Sequence, residues 1–201
     1  MDESAYEAIN GFAARHDGLE DVLRFFAVDA QYLFVALLAV LFLARGKWAS
    51  RNARHGVIAG GFSAALALAI AQVISHLWER PRPYVADPGD AHLFVPPAMD
   101  PSFPSDHATA AFAIAVAITL RSRRVGYLAL AMATILAVAR VAVGVHYPGD
   151  VLGGALLGTL CALFFYVPAV RGPLHRFADW LSAIYERIVA RAFTGSRAPT
   201  P

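Results

Sequence analysis

Three short polar segments interrupt the long apolar stretches of this chain, and their residue types suit work on a phosphate group. They supply cations, hydroxyl and amide donors, two imidazoles and a carboxylate, and they are Arg80-Pro81-Arg82-Pro83, Pro104-Ser105-Asp106-His107, and Arg140 with His146 and Asp150. Charged side chains are costly inside lipid, so those found there are usually paired, hydrated or functional. Such a set of groups can hold a phosphate and cleave a bond to it.

The third segment contains a candidate nucleophile. Arg140 lies late in a stretch that is otherwise mostly alanine, valine and isoleucine, where an unpaired guanidinium is unfavourable. Pro148 suits the first turn of a helix, so Asp150 lies in that turn and can reach back to His146. A carboxylate bonded to one ring nitrogen leaves the other nitrogen free as nucleophile or base. The alternative, a capping aspartate beside an incidental histidine, is the more common meaning of this spacing alone.

The second segment predicts a helix that begins at Ser105, because serine after proline is a favourable N-cap. The first amides of a helix lack internal partners and carry the positive end of its dipole, which favours phosphate binding. His107, in the first turn, can reach the same ligand. The alternative is a simple cap beside an interfacial histidine.

The first segment offers two arginines, whose guanidinium groups bind phosphate oxygens in a bidentate manner. Proline after each one favours extended backbone, so Arg80 and Arg82 are predicted to point in opposite directions. One of them then faces the pocket, and the other faces solvent or headgroups. The alternative is interfacial anchoring together with Trp78 and Tyr84.

Composition indicates an all-α integral membrane protein with a single domain, 1–201. The chain has 201 residues, and 58% of them are hydrophobic, whereas soluble domains contain about 45–50%. A net charge of +2 gives no basic field, which argues against a nucleic-acid partner. Cys161 is the only cysteine, so it can form no intrachain disulfide and is expected to pack in the apolar interior. The polar N-terminal segment lacks the pattern of a signal peptide.

Five apolar stretches predict a bundle of about five transmembrane helices, at 22–44, 56–78, 105–120, 125–145 and 148–170. A spanning helix needs about 20 mostly apolar residues, so the third stretch is marginal. Glycines four residues apart in the second and fifth stretches favour close helix packing.

The loop charges predict the orientation of these helices. Arginines fill the first and third connections and follow the fifth stretch, whereas 84–103 is acidic and lacks lysine and arginine. Because cationic flanks stay in the cytoplasm, the N-terminus is predicted outside the cell, the C-terminus in the cytoplasm, and the polar segments outside. We expect an amphipathic outer segment at 1–21, an interfacial cytoplasmic helix at 172–193 and a disordered tail at 194–201.

Taken together, the polar segments resemble the type-2 phosphatidic acid phosphatase superfamily, which includes membrane lipid phosphatases and soluble vanadium haloperoxidases. That family carries Lys-x6-Arg-Pro, then Pro-Ser-Gly-His, then Ser-Arg-x5-His-x3-Asp. The positions that match are Arg82-Pro83, Pro104-Ser105-Asp106-His107, Arg140, His146 and Asp150.

The chain departs from this pattern at three positions. Ser75, with His76 beside it, occupies the position of the family lysine, Asp106 that of the glycine, and Ala139 that of the serine before the arginine. The Pro-Ser-Asp-His variant resembles the bacitracin-resistance type of undecaprenyl-diphosphate phosphatase. Further candidates for phosphate binding are Ser75 and His76, at the position of the family lysine, and Arg80 of the first segment.

The resemblance implies a mechanism without metal or cofactor. His146, held by Asp150, attacks phosphorus and forms a phosphohistidine, and His107 protonates the leaving group. The phosphate is held by groups of four residues: Arg82, Ser105, the amide of Asp106, and Arg140. The implied substrate is undecaprenyl diphosphate in the outer leaflet of a bacterial-type plasma membrane.

Several alternatives stay open at this point. The same chemistry fits phosphatidate or phosphatidylglycerol phosphate, and the connection 84–103 is a candidate lid over the lipid chain. Buried charges also suit a proton- or anion-coupled transporter. A zinc hydrolase would use two histidines and two aspartates, namely His107, His146, Asp106 and Asp150. The sequence leaves the oligomeric state open.

Overall fold

The computed structural model describes residues 2–46, 50–89 and 91–194, and within these residues the chain is helical and contains no strand. The helices are α1 Asp2–Ala14, α2 Glu20–Arg24, α3 Ala30–Leu43, α4 Arg51–Leu77, α5 Pro83–Ala86, α6 Asp106–Thr119, α7 Arg123–Ala142, α8 Pro148–Phe164 and α9 Pro168–Thr194. A 3₁₀ turn, Asp17–Leu19, precedes α2, and a π-helical turn, Phe25–Asp29, joins α2 to α3. The prediction of an all-α fold is confirmed.

The described helices include three that are long and apolar enough to cross a membrane: Glu20–Leu43, α4 and α7. A fourth crossing is formed if α8 and α9, which meet at a bend of 79°, are counted together. At about 1.5 Å per residue, the 14 residues of α6 fall short of a hydrocarbon core about 30 Å thick. The membrane bundle is confirmed, and the count of five spans stays a prediction.

The flanking segments differ in part from their predicted bounds. The stretch expected at 148–170 is divided, because α8 ends at Phe164 and the chain bends before α9 begins at Pro168. Helix α9 covers the predicted interfacial segment 172–193, and α1 covers most of the helical part of 1–21. Of the tail predicted at 194–201, residue 194 ends α9, and 195–201 lie outside the described residues, as does residue 1.

Helix α6 lies at the centre of the bundle, between α4, α7 and α8. Its alanines are fully or almost fully buried at 108, 111, 113, 115 and 117. Glycine allows the close approach of α8, since a Cβ atom at Gly158 would lie 2.3 Å from the carbonyl oxygen of Thr109. On the other side, Gly56 and Gly60 of α4 face Ile118 and Ile114. This packing fixes the N-terminus of α6, which carries the second polar segment.

Candidate active site

The three polar segments meet at one end of the bundle, where α4, α6, α7 and α8 each have one terminus. The backbone N–H of Ser105 donates to the carbonyl oxygen of Asp150 at 3.1 Å, which joins the second segment to the third. Arg82, from the first segment, approaches the ring of His146. Residues far apart in the sequence therefore form one polar cluster.

His146 lies at the centre of this cluster and is almost completely buried. Its Nδ1 atom is 2.9 Å from the carbonyl oxygen of Ser102; because a carbonyl only accepts, Nδ1 must carry the proton. The other nitrogen, Nε2, is then unprotonated and lies 3.2 Å from Nη2 of Arg140 and 3.5 Å from Nη1 of Arg82. A lone pair thus faces the place where two guanidinium groups converge.

The loop that carries His146 follows the end of α7. Gly144 turns the chain at φ +89°, and a Cβ atom there would lie 2.4 Å from the carbonyl oxygen of His92. Burial lowers the pKa of His146 to about 4; Asp150 opposes this shift, and Arg140 and Arg82 add to it. The imidazole is therefore neutral at physiological pH, as a nucleophile requires.

Asp150 does not contact His146 in the way that the sequence predicted. Its Oδ2 atom lies 3.7 Å from Nδ1 of His146, which is beyond hydrogen-bond distance. The same oxygen accepts from the hydroxyl of Ser102 at 2.5 Å and from the backbone N–H of Tyr147 at 2.8 Å. Ser102 therefore links the two, with its hydroxyl on Asp150 and its carbonyl on His146.

Sequence reasoning missed Ser102. The signal that was present is a serine two residues before the Pro104-Ser105-Asp106-His107 motif, and in the structure this serine is fully buried.

The two arginines of the first segment point in different directions, as their alternation with proline predicted. Arg82 turns inward, donating to the carbonyl oxygen of Val145 at 2.9 Å and to the backbone and side-chain oxygens of Asp100, each at 2.9 Å. Arg80 points away from the pocket toward Asp2 and Asp150. The interpretation of Arg80 as a phosphate ligand therefore has no support in this geometry.

Arg140 is buried late in α7. Its Nη1 atom donates to the carbonyl oxygen of Ala27, in the π-helical turn, at 3.1 Å, whereas its Nε atom has no hydrogen-bond partner. Within the described residues, no carboxylate forms an ion pair with this guanidinium. A buried cation with a free donor beside an unprotonated imidazole is suited to an anionic ligand.

Ser105, Asp106 and His107 lie at the N-terminus of α6, as expected. The Ser105 hydroxyl is buried without a partner, and so is Oδ1 of Asp106, whose Oδ2 accepts from Gln72 at 2.9 Å. His107 lies near Arg140, His146 and Arg82. These three residues therefore border the same cluster as His146.

Ser75 and His76 are not brought to the cluster as ligands. The hydroxyl of Ser75 donates to the carbonyl oxygen of Phe103 at 2.9 Å and so secures the chain just before α6. His76 is exposed and bonds through Nδ1 to the carbonyl oxygen of Gln72 in its own helix. Ser75 thus has a structural contact where the family has a lysine.

A cavity of about 480 Å³ extends from His107 along α6, between α3 and α4. Asp106 and His107 line one part of it, and its other walls are mostly apolar, among them Phe34, Leu68 and Ile114. Tyr32 and Val35, which also line it, are largely exposed on α3. The cavity therefore joins the polar cluster to the outer surface of the bundle.

Several hydrogen bonds and packing contacts fix the connection 84–103. The Tyr84 hydroxyl bonds to both the backbone N–H and the carbonyl oxygen of Ala98, and Val95 is buried beside Val143. The backbone N–H of Phe94 donates to the carbonyl oxygen of Val143. Movement of this segment as a lid stays a prediction; residue 90 lies outside the described part.

Among the described residues, no three histidine, cysteine, aspartate or glutamate side chains lie together in the manner of a metal site. The zinc alternative therefore lacks its ligand set in the part of the chain that the structure covers.

The fold and the cluster together define an integral membrane phosphatase. The sequence profile of the PAP2 superfamily matches residues 56–171, and the chain belongs to that superfamily. It is 31% identical over 189 residues to the undecaprenyl-diphosphatase BcrC of Bacillus subtilis, an alignment that covers 94% of each chain. The predicted family and the prediction of a phosphoric-ester hydrolase are confirmed.

Solved structures agree with this assignment. LpxE of Aquifex aeolicus matches with a TM-score of 0.61 and 26% identity, covering 80% of this chain and 92% of that one. A transmembrane PAP2-type phosphatidylglycerolphosphate phosphatase from Bacillus subtilis matches with a TM-score of 0.58 and 25% identity, covering 85% and 84%. The chain is therefore a multi-pass membrane protein of this family.

Proposed function

We propose that this chain hydrolyses undecaprenyl diphosphate to undecaprenyl phosphate and phosphate, on the extracytoplasmic face of the membrane, through a phosphohistidine at His146. The observation that carries the proposal is the arrangement of that ring. Its Nδ1 proton is held by the Ser102 carbonyl, while Nε2 faces Arg82 and Arg140.

The chemistry follows from this arrangement. The terminal phosphate binds between Arg82 and Arg140, and the free Nε2 lone pair of His146 attacks phosphorus. The P–O bond to the lipid phosphate breaks, and its electron pair leaves with that oxygen. Fixed cations stabilise the charge that develops on the phosphoryl oxygens, which is the main source of catalysis in phosphoryl transfer.

His107 and the start of α6 complete the proposed machinery. Binding of an anionic substrate beside His107 favours its protonated form, which donates a proton to the leaving oxygen. The Ser105 hydroxyl and the Asp106 amide, at a helix N-terminus, hold phosphoryl oxygens. Water then cleaves the P–N bond of the phosphohistidine, with His107 as its base, and releases phosphate.

The lipid substrate is supported by the apolar cavity beside His107. A chain lying along α6 between α3 and α4 would enter from the bilayer and present its phosphate end to the cluster. The similarity to BcrC favours a diphosphate lipid. Phosphatidylglycerol phosphate is the second candidate, because the Bacillus subtilis structure of that specificity shares the fold.

The proposed orientation is supported by charge. The site end of the bundle adjoins the acidic connection 84–103, whereas arginines occur at the opposite end, in the α3–α4 and α6–α7 connections. Under the positive-inside rule, the latter end is cytoplasmic.

The test is phosphate release by the purified protein in detergent, with EDTA present. The panel contains undecaprenyl diphosphate, phosphatidate and phosphatidylglycerol phosphate. We expect the highest kcat/KM for undecaprenyl diphosphate and no loss with EDTA. A higher kcat/KM for phosphatidate or phosphatidylglycerol phosphate would overturn the proposed substrate. Activity that is lost with EDTA and restored by zinc would overturn the proposed mechanism.

A further inference from the structure

The N-terminal helix α1 contributes a carboxylate next to the proposed site. Asp2 accepts from the backbone N–H of Gly149 at 2.8 Å and from Nη2 of Arg80 at 2.7 Å. The other terminal nitrogen of Arg80, Nη1, donates to Oδ1 of Asp150 at 2.7 Å. One guanidinium therefore bridges two carboxylates, and the second of these is the carboxylate that bonds to Ser102.

Burial makes this bridge important for Asp150, which is 0% exposed. A buried carboxylate needs a cation or several donors in place, and removing such a partner is strongly unfavourable. Arg80 is the partner that supplies the positive charge at hydrogen-bond distance, and its guanidinium lies 4.2 Å from the centre of the Tyr147 ring. Arg80 thus holds one carboxylate oxygen of Asp150, and Ser102 holds the other.

Helix α1 is itself attached on both sides of the loop that carries His146. Asn10 donates to the carbonyl oxygen of Ala142 at 2.9 Å, just before that loop. Tyr6 packs against Tyr147 just after it, with ring centres 5.5 Å apart. Asp2 is therefore held in place by a helix that is anchored to the loop itself.

We propose that Asp2 and Arg80 are positioning residues for the hydrolytic reaction: Asp2 fixes Arg80, and Arg80 holds Asp150 so that Ser102 orients His146. This inference rests on the proposed role of His146 and deepens it. Neither residue approaches the place where Arg82 and Arg140 converge, so their loss should alter kcat and leave KM nearly unchanged.

The kinetic experiment compares Asp2→Asn, Arg80→Gln, Arg80→Lys and the double variant Asp2→Asn/Arg80→Gln on undecaprenyl diphosphate. Because small displacements of a reacting group are costly, we expect kcat to fall about 30-fold for Arg80→Gln and about fivefold for Asp2→Asn. The double variant should be no slower than Arg80→Gln, since both act through one bridge. Arg80→Lys, which keeps the charge, should recover part of the rate.

A matched control is available at the other end of the bundle, where Arg51 donates to Asp179 at 2.9 and 2.6 Å. Arg51→Gln removes an arginine–aspartate pair of the same kind and should keep the wild-type kcat. An unchanged kcat in Arg80→Gln, a loss confined to KM, or additive losses in the double variant would each overturn the inference.

A second measurement separates this inference from the proposed function. In ¹⁵N-histidine spectra, the His146 signal, assigned by its absence in His146→Ala, reports the ring tautomer without any substrate. We expect it to shift in Arg80→Gln and to stay unchanged in Arg51→Gln; an unshifted signal in Arg80→Gln would refute positioning. The spectra test the positioning role even if no lipid of the panel is cleaved. Failure to cleave any of these lipids would refute only the proposed function.

Discussion

The two ends of α4 carry different groups of arginines. Beyond its C-terminus, Arg82 and the buried Arg140 converge on the ring of His146. Near the N-terminus of α4, other arginines pair with acidic residues of α9. We call the latter group the α4–α9 cluster; it comprises Arg51, Arg54, His55, Asp179 and Glu186. In it, each basic side chain has a carboxylate acceptor: Asp179 accepts from Arg51 and His55, and Glu186 accepts from Arg54 at 2.5 Å.

The difference between these networks lies in what remains unpaired. The charges of the α4–α9 cluster neutralise one another and tie two helices together. At the site end, Arg140 lacks a carboxylate partner within the described residues, and its Nε atom and the Ser105 hydroxyl are buried without a hydrogen bond. Buried polar groups are almost always satisfied, but Arg121, near the other end, also has two buried nitrogens without a hydrogen bond. What distinguishes the site is that two arginines, Arg82 and Arg140, converge on one imidazole nitrogen.

The largest effect is expected for the residue on which the site network converges. His146→Ala should lower kcat by about 10⁴-fold or more, because the proposed nucleophile is lost, while the protein still inserts and folds. The measurement is phosphate release from the lipid panel, with thermal unfolding as the check on folding. Ample residual activity in a folded His146→Ala protein would remove the nucleophile assignment.

The next largest effect is expected at Arg140, and the matching variant at Arg54, in the other network, serves as its comparison. Arg140→Gln should lower kcat/KM by about 100-fold, because a cation aimed at the developing charge is lost. Arg54→Gln, the same change at a side chain equally buried in the α4–α9 cluster, should lower the thermal unfolding temperature and leave kcat/KM unchanged. Equal losses of activity in the two variants would mean that the contrast between the networks is false.

These contrasts also show which features a sequence can predict. The spacing of Arg140, His146 and Asp150, with proline starting a helix between them, placed the site residues correctly near one another because the spacing is local. The predicted carboxylate–imidazole pair is present but longer than a hydrogen bond: Oδ2 of Asp150 lies 3.7 Å from the imidazole and accepts from the hydroxyl of Ser102 at 2.5 Å.

Features that depend on distant packing were not predictable. The contact between Asp2 and Arg80 joins residues 78 positions apart, and no periodicity connects them. The amphipathic pattern of α1 predicted only an outer helix, and the contacts of Tyr6 and Asn10 with the loop of His146 arise from tertiary packing. The bend between α8 and α9, which divides one apolar stretch, was not predicted either.

A smaller effect is expected at Ser102, where one hydrogen bond is lost and another kept. Ser102→Ala removes the hydroxyl from Asp150 but retains the backbone carbonyl that accepts from His146. Loss of one donor to a buried carboxylate costs about 1–2 kcal/mol, which predicts a kcat about tenfold lower.

The control for Ser102 is Ser63→Ala. Ser63 is also fully buried, but its hydroxyl bonds only within α4, to the carbonyl oxygen of Ala59 at 2.6 Å. We expect the Ser63 variant to keep the wild-type kcat. If Ser102→Ala kept it too, Asp150 would not act through the serine hydroxyl.

The smallest effect on activity is expected for Asp179→Asn, which breaks the α4–α9 cluster at its shared carboxylate. Arg51 and His55 both lose an ionised acceptor, and since His55 is buried whereas Arg51 is largely exposed, the loss falls mainly on His55. The thermal unfolding temperature should therefore fall, while kcat and KM stay within about twofold, because α9 meets the bundle far from His146. Combining Asp179→Asn with Arg80→Gln tests this independence: the two effects on kcat should multiply, and a kcat well below that product would show that the two ends of the bundle are coupled.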